Sequence, residues 1–396
     1  MTKGLANINF IFFSPHFPKN STEFCERLHE QGATVLGIGD AEYDGLGQRL
    51  KASLTEYYRI SDLENYDELV RAVGYFTHRY GKIDRFESLN EYWLEQDAMI
   101  RTDFNIYGTK TDFIHNLKQK SKMKDFFYKS GVSTVQFTTG SDRASVDEFI
   151  RSAGFPLVVK PDLGSGASMT YKINNEDELQ HFFDHKPADV HFIIEEFIDG
   201  IILTYDGLVD IDGEVRFAVS HRFEQSVMEV VNTDDHLYYF CLKDVSPEVE
   251  EAGRSILKAF DIRERFFHIE LFKSNKDGRI IALEVNMRPP GAWMTDAINF
   301  AYDVDVYKEW ARMVVHNEVG GPYPGQYYSG YASRKNHKHY VHSHEDILRT
   351  FGGQIVNYNE IEDIFSRASG NRAYQFRSAQ LDDVRDIVKF IQLEEG

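Results

Sequence analysis

Glu284-Val-Asn286-Met-Arg288 puts a polar side chain at every second position. On a strand, where side chains alternate faces, Glu284, Asn286 and Arg288 share one face while Leu283 and Val285 turn to the core. The apolar run Phe267–Phe272 lies just upstream. A three-residue loop, Lys276-Asp277-Gly278 with Gly278 left-handed, would fold the two runs into a hairpin with Glu270 opposite Glu284. Two carboxylates and an amide oxygen in so small a volume call for a cation. Ligands that are all oxygen favour a hard divalent ion, and Mg²⁺ suits a site that also receives phosphates. A surface ladder neutralised by Lys or Arg is the alternative.

A second set of residues points to phosphate. Phe155-Pro-Leu-Val-Val-Lys160 ends an apolar strand in a lysine, and Pro-Asp-Leu-Gly164-Ser165-Gly166-Ala-Ser168 follows. A loop of such small residues can drape backbone N–H groups over phosphates, with Lys160 as a point charge. It lacks the Gly-Lys-Ser/Thr of a Walker loop, and a ligand-free turn is the competing interpretation. Ile193-Ile-Glu195-Glu196-Phe197-Ile198 is an acidic strand end before Asp199-Gly200. Gly37-Ile-Gly39 has no third glycine at dinucleotide spacing and follows a second strand, so it is read as a plain turn. His337, His339, His342 and His344 are spaced like a metal cluster, but no second ligand set flanks them, and a strand followed by a helix cap is preferred.

These residues need elements to hold them. The chain has 396 residues, too many for one ordinary core, so two or three domains are expected. Its 14% aromatic share excludes a disordered chain, and its net charge of −19 argues against a nonspecific grip on nucleic acid or anionic lipid. No apolar run approaches the ~18 residues of a membrane span, and the start lacks a signal-peptide core, so a cytoplasmic setting is expected. Cys25 and Cys241 are too few for a disulfide framework or zinc cage and are expected to pack as small hydrophobes. A βαβ opening runs from Ile8 to Ile38, and an amphipathic basic helix stops at Gly131. Ser145-x-x-Glu148 reads as a capping box, and Asp212-Gly213 and Asp277-Gly278 as hairpin turns.

Taken in order over Lys120 to Arg288, these motifs resemble the ATP-grasp superfamily. The resemblance implies an α/β, Rossmann-like pre-ATP-grasp domain over 1–110, followed by an α+β ATP-grasp fold. A small lid subdomain would cover 111–200, and a catalytic subdomain with a C-terminal extension 201–396. The implied cofactors are ATP and Mg²⁺, with Mn²⁺ as the other metal. Lys120, eleven residues before Gly131, and Lys160 would hold phosphates, and Gly164, Ser165, Gly166 and Ser168 would close over them. Glu195, Glu196, Phe197 and Ile198 would be the hinge whose backbone reads adenine. Glu270, Glu284 and Asn286 match the metal ligands, and Arg288, with Lys160, the catalytic cations. Ile201 and Ile202 stand where a ribose-binding acid is usual, which leaves Thr204, Asp206 or another residue for that role.

The N-terminal region resembles the pre-ATP-grasp domain of carboxylate-amine ligases. Asn90, Glu91 and Arg101 would then lie near the substrate, a solvated helix face being the alternative for each. Gly291 would open a helix whose amino end could hold a substrate carboxylate, and Trp293 could equally be core. The activity implied is ATP-dependent amide or peptide bond formation through an acyl phosphate, from a small-molecule carboxylate and an amine, amino acids among them. A homodimer is an open expectation. A kinase-like phosphotransferase and a catalytically decayed ATP-binding regulator are the alternatives.

Overall fold

The computed structural model describes residues 8–140, 142–164, 169–291 and 293–395. Four parallel strands open the chain: β1 Asn9–Phe13, β2 Thr34–Gly39, β3 Glu56–Arg59 and β4 Arg85–Glu87, in the order β3-β2-β1-β4. The continuous apolar runs of β1 and β2 follow from burial on both faces, as crossover helices require. The order reverses between β1 and β4, so the crevice beyond their C-terminal ends is the switch point where such sheets bind ligands. The first residue or two after each of these strands is left-handed without being glycine: Ser14 has φ 58° and Leu89 φ 54°. Strain of this kind persists only where the surroundings fix it.

The next stretch divides between two sheets. β5 Ser133–Thr134 joins the largest sheet beside the Glu284 strand. A separate four-stranded sheet holds β6 Phe137–Thr138, β7 Leu157–Pro161, β8 Tyr171–Ile173 and β9 Phe192–Glu196 in the order β6-β9-β7-β8. Its core (Val146, Phe149, Leu157, Val159, Ile173, Leu179, Phe182, Phe192 and Ile194) is its own. The helix Lys120–Ser130 ends at left-handed Gly131 and packs Met123 and Phe127 into the body rather than this sheet. The compact unit with its own core is therefore nearer 137–196 than 111–200. Asp142, whose side chain accepts from the Ser145 N–H, caps the helix Arg143–Ala153, so the Ser145 capping box does not form.

The remaining strands are β10 Gly200–Val209, β11 Val215–Val219, β12 His221–Phe223, β13 Tyr238–Cys241, β14 Arg265–Ser274, β15 Ile280–Asn286, β16 Tyr328–Arg334, β17 Ile355–Glu360 and β18 Arg372–Ser378. They form the ten-stranded sheet, ordered β17-β18-β16-β13-β12-β10-β14-β15-β5 with β11 beside β10. Leu203, Tyr205, Ile269, Leu271, Ala282 and Val285 sink one of its faces under the helix Pro247–Ala259. Cys25 and Cys241 are free and buried. Among the described residues no helix is long and apolar enough to cross a membrane.

A buried ionic cluster locks the first sheet to the large one. Glu87, at the end of β4, bridges Arg265 of β14 (2.6 Å) and Arg101 (2.8 Å), and Arg85 pairs with Glu264 beside it. Removing one member of such a cluster leaves uncompensated buried charge. Glu87→Gln should therefore destabilise the fold by roughly 3–5 kcal/mol in urea unfolding. A loss below about 1 kcal/mol, the range of a solvated surface pair, would show that the cluster is not a lock.

Candidate active site

The hairpin β14–β15 sets Glu270 directly opposite Glu284, but not through the expected loop. Ser274 pairs with Arg279 around a four-residue loop, and one residue of slippage is absorbed further along by a bulge at Leu283. Leu283 is consequently half-buried rather than core, while Val285 is fully buried. With β10 alongside, two polar rungs cross the sheet: Thr204–Glu270–Glu284 and Asp206–His268–Asn286.

Asn286 is 2% exposed, and its Oδ1 has no hydrogen-bond partner. A buried acceptor left unmatched beside two facing carboxylates fits a hard cation. The two acids are pushed apart in acidity. Burial raises Glu284, aided by repulsion from Glu270 and opposed by Lys120 and Lys160. Burial also pushes Glu270 up, but the His268 hydrogen bond and the charges of His268, Arg288 and Lys160 outweigh it and leave Glu270 below the usual range. Among the described residues no group of three or more His, Cys, Asp and Glu could hold a metal. The histidine run disperses accordingly: His337 contacts Asp234, His342 stacks on Phe390, and His344 meets the Tyr374 hydroxyl.

Thr204 and Asp206 are not free to read a ribose. Both are fully buried, and the Asp206 carboxylate accepts from the Thr204 hydroxyl, from His268 Nδ1 and, at 2.7 Å, from His221 Nδ1. Burial pushes this carboxyl up, yet the two imidazoles bring it down to about 2. His268 then reaches Glu270 through Nε2 at 3.2 Å, so Asp206 holds the ring that holds Glu270.

The lysines converge from two sides. Lys160, next to last in β7, meets Glu195 of β9 at 2.6 Å. Lys120 donates to the Gly164 carbonyl at 2.6 Å. Asp162, at the root of the small-residue loop, accepts from the Ser121 N–H and hydroxyl and so caps the helix that carries Lys120. Ser165, Gly166 and Ser168 lie outside the described residues. In the segment Glu195–Ile198, the Glu196 N–H donates to Gln136 O and the Phe197 N–H to Pro156 O.

Arg288 is 16% exposed, and its Nε donates to Glu91 Oε2 at 3.2 Å. Glu91 stands just beyond left-handed Leu89, at the switch point. Arg101 is fully buried on Glu87 and Phe86 O, a structural role instead of a substrate one. Asn90 caps the turn at Tyr92. The helix after Arg288 begins at Met294, not Gly291, and Trp293 packs edge-on against Tyr331.

Residues 153–296 match the family model described as the ATP-grasp domain. This stretch is an ATP-grasp domain. The whole chain superimposes on the L-amino acid ligase from Bacillus licheniformis with a TM-score of 0.74 at 14% identity, covering 97% of this chain and 96% of that one. Against the ADP complex of N5-carboxyaminoimidazole synthetase from Staphylococcus aureus the TM-score is 0.70 at 13% identity, covering 97% and 96%. In sequence the chain is 22% identical over 248 residues to the L-arginine-specific L-amino acid ligase of Bacillus subtilis, across 61% of this chain and 60% of that protein. It is 21% identical over 188 residues to the C-terminal section of the carbamoyl phosphate synthase large chain of Aquifex aeolicus (strain VF5), across 46% of this chain and 34% of that protein. The matches thus span less than two thirds of these curated relatives.

The Asp206 carboxylate is more acidic folded than free, so the stability it contributes is full above its ordinary value of 3.8 and lost as pH falls through about 2. Urea unfolding should lose on the order of 1 kcal/mol more between pH 5 and pH 3 in the native chain than in Asp206→Asn. Parallel curves for the two would show that the imidazoles do not stabilise the carboxylate.

Proposed function

We propose that this chain is an ATP-dependent carboxylate–amine ligase working through an acyl phosphate, with amino acids as its substrate class. A carboxylate is a poor electrophile because its leaving oxygen would depart as oxide, so amide formation needs prior activation. Bound Mg·ATP supplies the phosphoryl group for that activation. Glu270, Glu284 and Asn286 would hold the metal, while Lys120 and Lys160 would bind the phosphates and Ile198 the adenine edge. Arg288 is the group that meets charge as it moves onto the transferring oxygens. The lid excludes water, which would otherwise hydrolyse the activated acid.

The observation that carries this reading is the Glu91–Arg288 contact. It brings a carboxylate of the pre-ATP-grasp switch point to the edge of the metal-fitting hairpin, across 197 residues of sequence. An ATPase or decayed regulator has no need of that juncture. A zwitterionic amino acid does, since its ammonium suits Glu91 and its carboxylate suits Arg288. The L-amino acid ligases among the similar proteins support the same class.

The test is ADP release over pairs of amino acids and amines with Mg²⁺ present. Release that needs both partners and yields an amide supports ligation, whereas a stable phosphoester formed without amine would make the chain a phosphotransferase. Arg288→Lys should lower kcat roughly a hundredfold with little change in ATP affinity, because an ammonium cannot grip two oxygens as a planar guanidinium does. Weakened ATP binding with unchanged kcat would instead make Arg288 a ground-state anchor. Glu284→Gln should keep the native melt while raising the Mg²⁺ needed for turnover, and full activity at low Mg²⁺ would return Glu284 to a structural role.

A further inference from the structure

We infer that Lys124 is a positioning residue for nucleotide binding: by neutralising Glu195 across the seam between body and lid, it leaves Lys160 with a net positive charge for the polyphosphate. This deepens the ATP reading above and rests on it. Lys124 lies one turn beyond Lys120 on the same helix face and is fully buried. Its Nζ is 2.7 Å from Glu195 Oε1, an ion pair without aligned hydrogen-bond geometry, while Glu195 Oε2 takes Lys160 at 2.6 Å.

A buried ammonium persists only when paired, and the apolar neighbour here is the Phe127 ring, 5.7 Å from Nζ. The charges facing Lys124 are Glu195, Glu284 and Lys160, with Lys120 on its own helix. Without Lys124, Glu195 and Lys160 would form a neutral pair, and incoming phosphates would have to separate it against a bare carboxylate. With Lys124 present, the trio carries one net positive charge. The lysines are shifted in opposite directions. Burial pulls Lys124 down, helped by repulsion from Lys160, whereas Lys160, also buried, is raised by Glu195, Glu284 and Glu270. Burial alone would raise Glu195, but the two ammonium groups hold it at about 2, so it stays ionised throughout the working range.

The test is a double-mutant cycle read by calorimetric titration of Mg·ATP into the full chain, with a thermal melt of each variant. Lys124→Met should weaken binding about tenfold or more, because the uncompensated Glu195 then opposes the phosphates. Lys124→Arg should stay within about threefold. In a Glu195→Gln background there is nothing to neutralise, so adding Lys124→Met should cost less than about threefold. The double variant buries no unpaired charge at these two positions, so a native melt there with Mg·ATP affinity within about threefold of the native chain decides the matter even if either single variant unfolds. Native affinity in Lys124→Met, or equal losses in both backgrounds, would overturn the inference. Failure of the unmodified chain to bind Mg·ATP would instead bring down the ATP reading itself.

Discussion

Glu270 and Glu284 face each other across adjacent strands, and like charges in that position are destabilising on their own. Much of the surrounding structure compensates for this pair. Apolar packing of Ile269, Leu271, Ala282 and Val285 on the opposite face of the sheet keeps the strands in register. The bulge at Leu283 absorbs a turn that would otherwise displace Glu284 from Glu270. Lys160, Lys120 and Arg288 supply positive potential, and His268 fixes one of the acids by hydrogen bond. A folded chain that retains such repulsion has a place ready for a cation, and the unpartnered Asn286 Oδ1 lies in the same rung as His268.

The site also depends on where the first sheet docks. β14 begins at Arg265 and carries Glu270, and β4 ends at Glu87 just before Leu89 and Glu91. The Glu87–Arg265 pair therefore ties the start of the metal-fitting strand to the start of the switch-point loop. Glu91 can meet Arg288 because those two origins are fixed together. A buried ion pair is a weak source of net stability, yet its directional demand makes it a good device for register between two sheets that share an apolar core.

How much of this was legible in the sequence follows from the range of the physics involved. Period-two alternation in Glu284-Val-Asn286-Met-Arg288 and the glycine stop at Gly131 are local, so the polar face and the helix end could be read directly. The Glu270–Glu284 pairing was reached for an incorrect reason: the loop is four residues long, and the bulge compensates. Bulges depend on cross-strand packing and leave no mark in a single strand's pattern. Asp142 displaced Ser145 as the cap because several polar residues there compete for the same N–H groups. Lys124, Asp162 and Asp206 act through partners 71, 41 and 62 residues away. Of these only Lys124 carried a faint signal, following Lys120 by one helical turn; His268, the partner of Asp206, carried another by preceding Glu270 by one strand period. Nothing in the sequence distinguished Arg101 as structural and Glu91 as site-facing, because burial is set by the docking of the two sheets.

The lid and the body are joined in a manner that suits their division of work. Each has its own apolar core, and the two cores share no residue. The described contacts that cross between them around the Lys120 helix are polar: Lys120 to Gly164 O, Ser121 and Gln119 to Asp162, and Lys124 to Glu195. Hydrophobic seams close once and stay closed, since reopening exposes apolar surface to water. Polar seams can exchange partners with water or ligand at small net cost. An enzyme that must admit a nucleotide and then exclude water needs the second kind of seam at its lid and the first kind beneath its acidic hairpin. This chain has both, with Glu270, Glu284 and Asn286 on the large sheet and Lys160 on the separate four-stranded sheet.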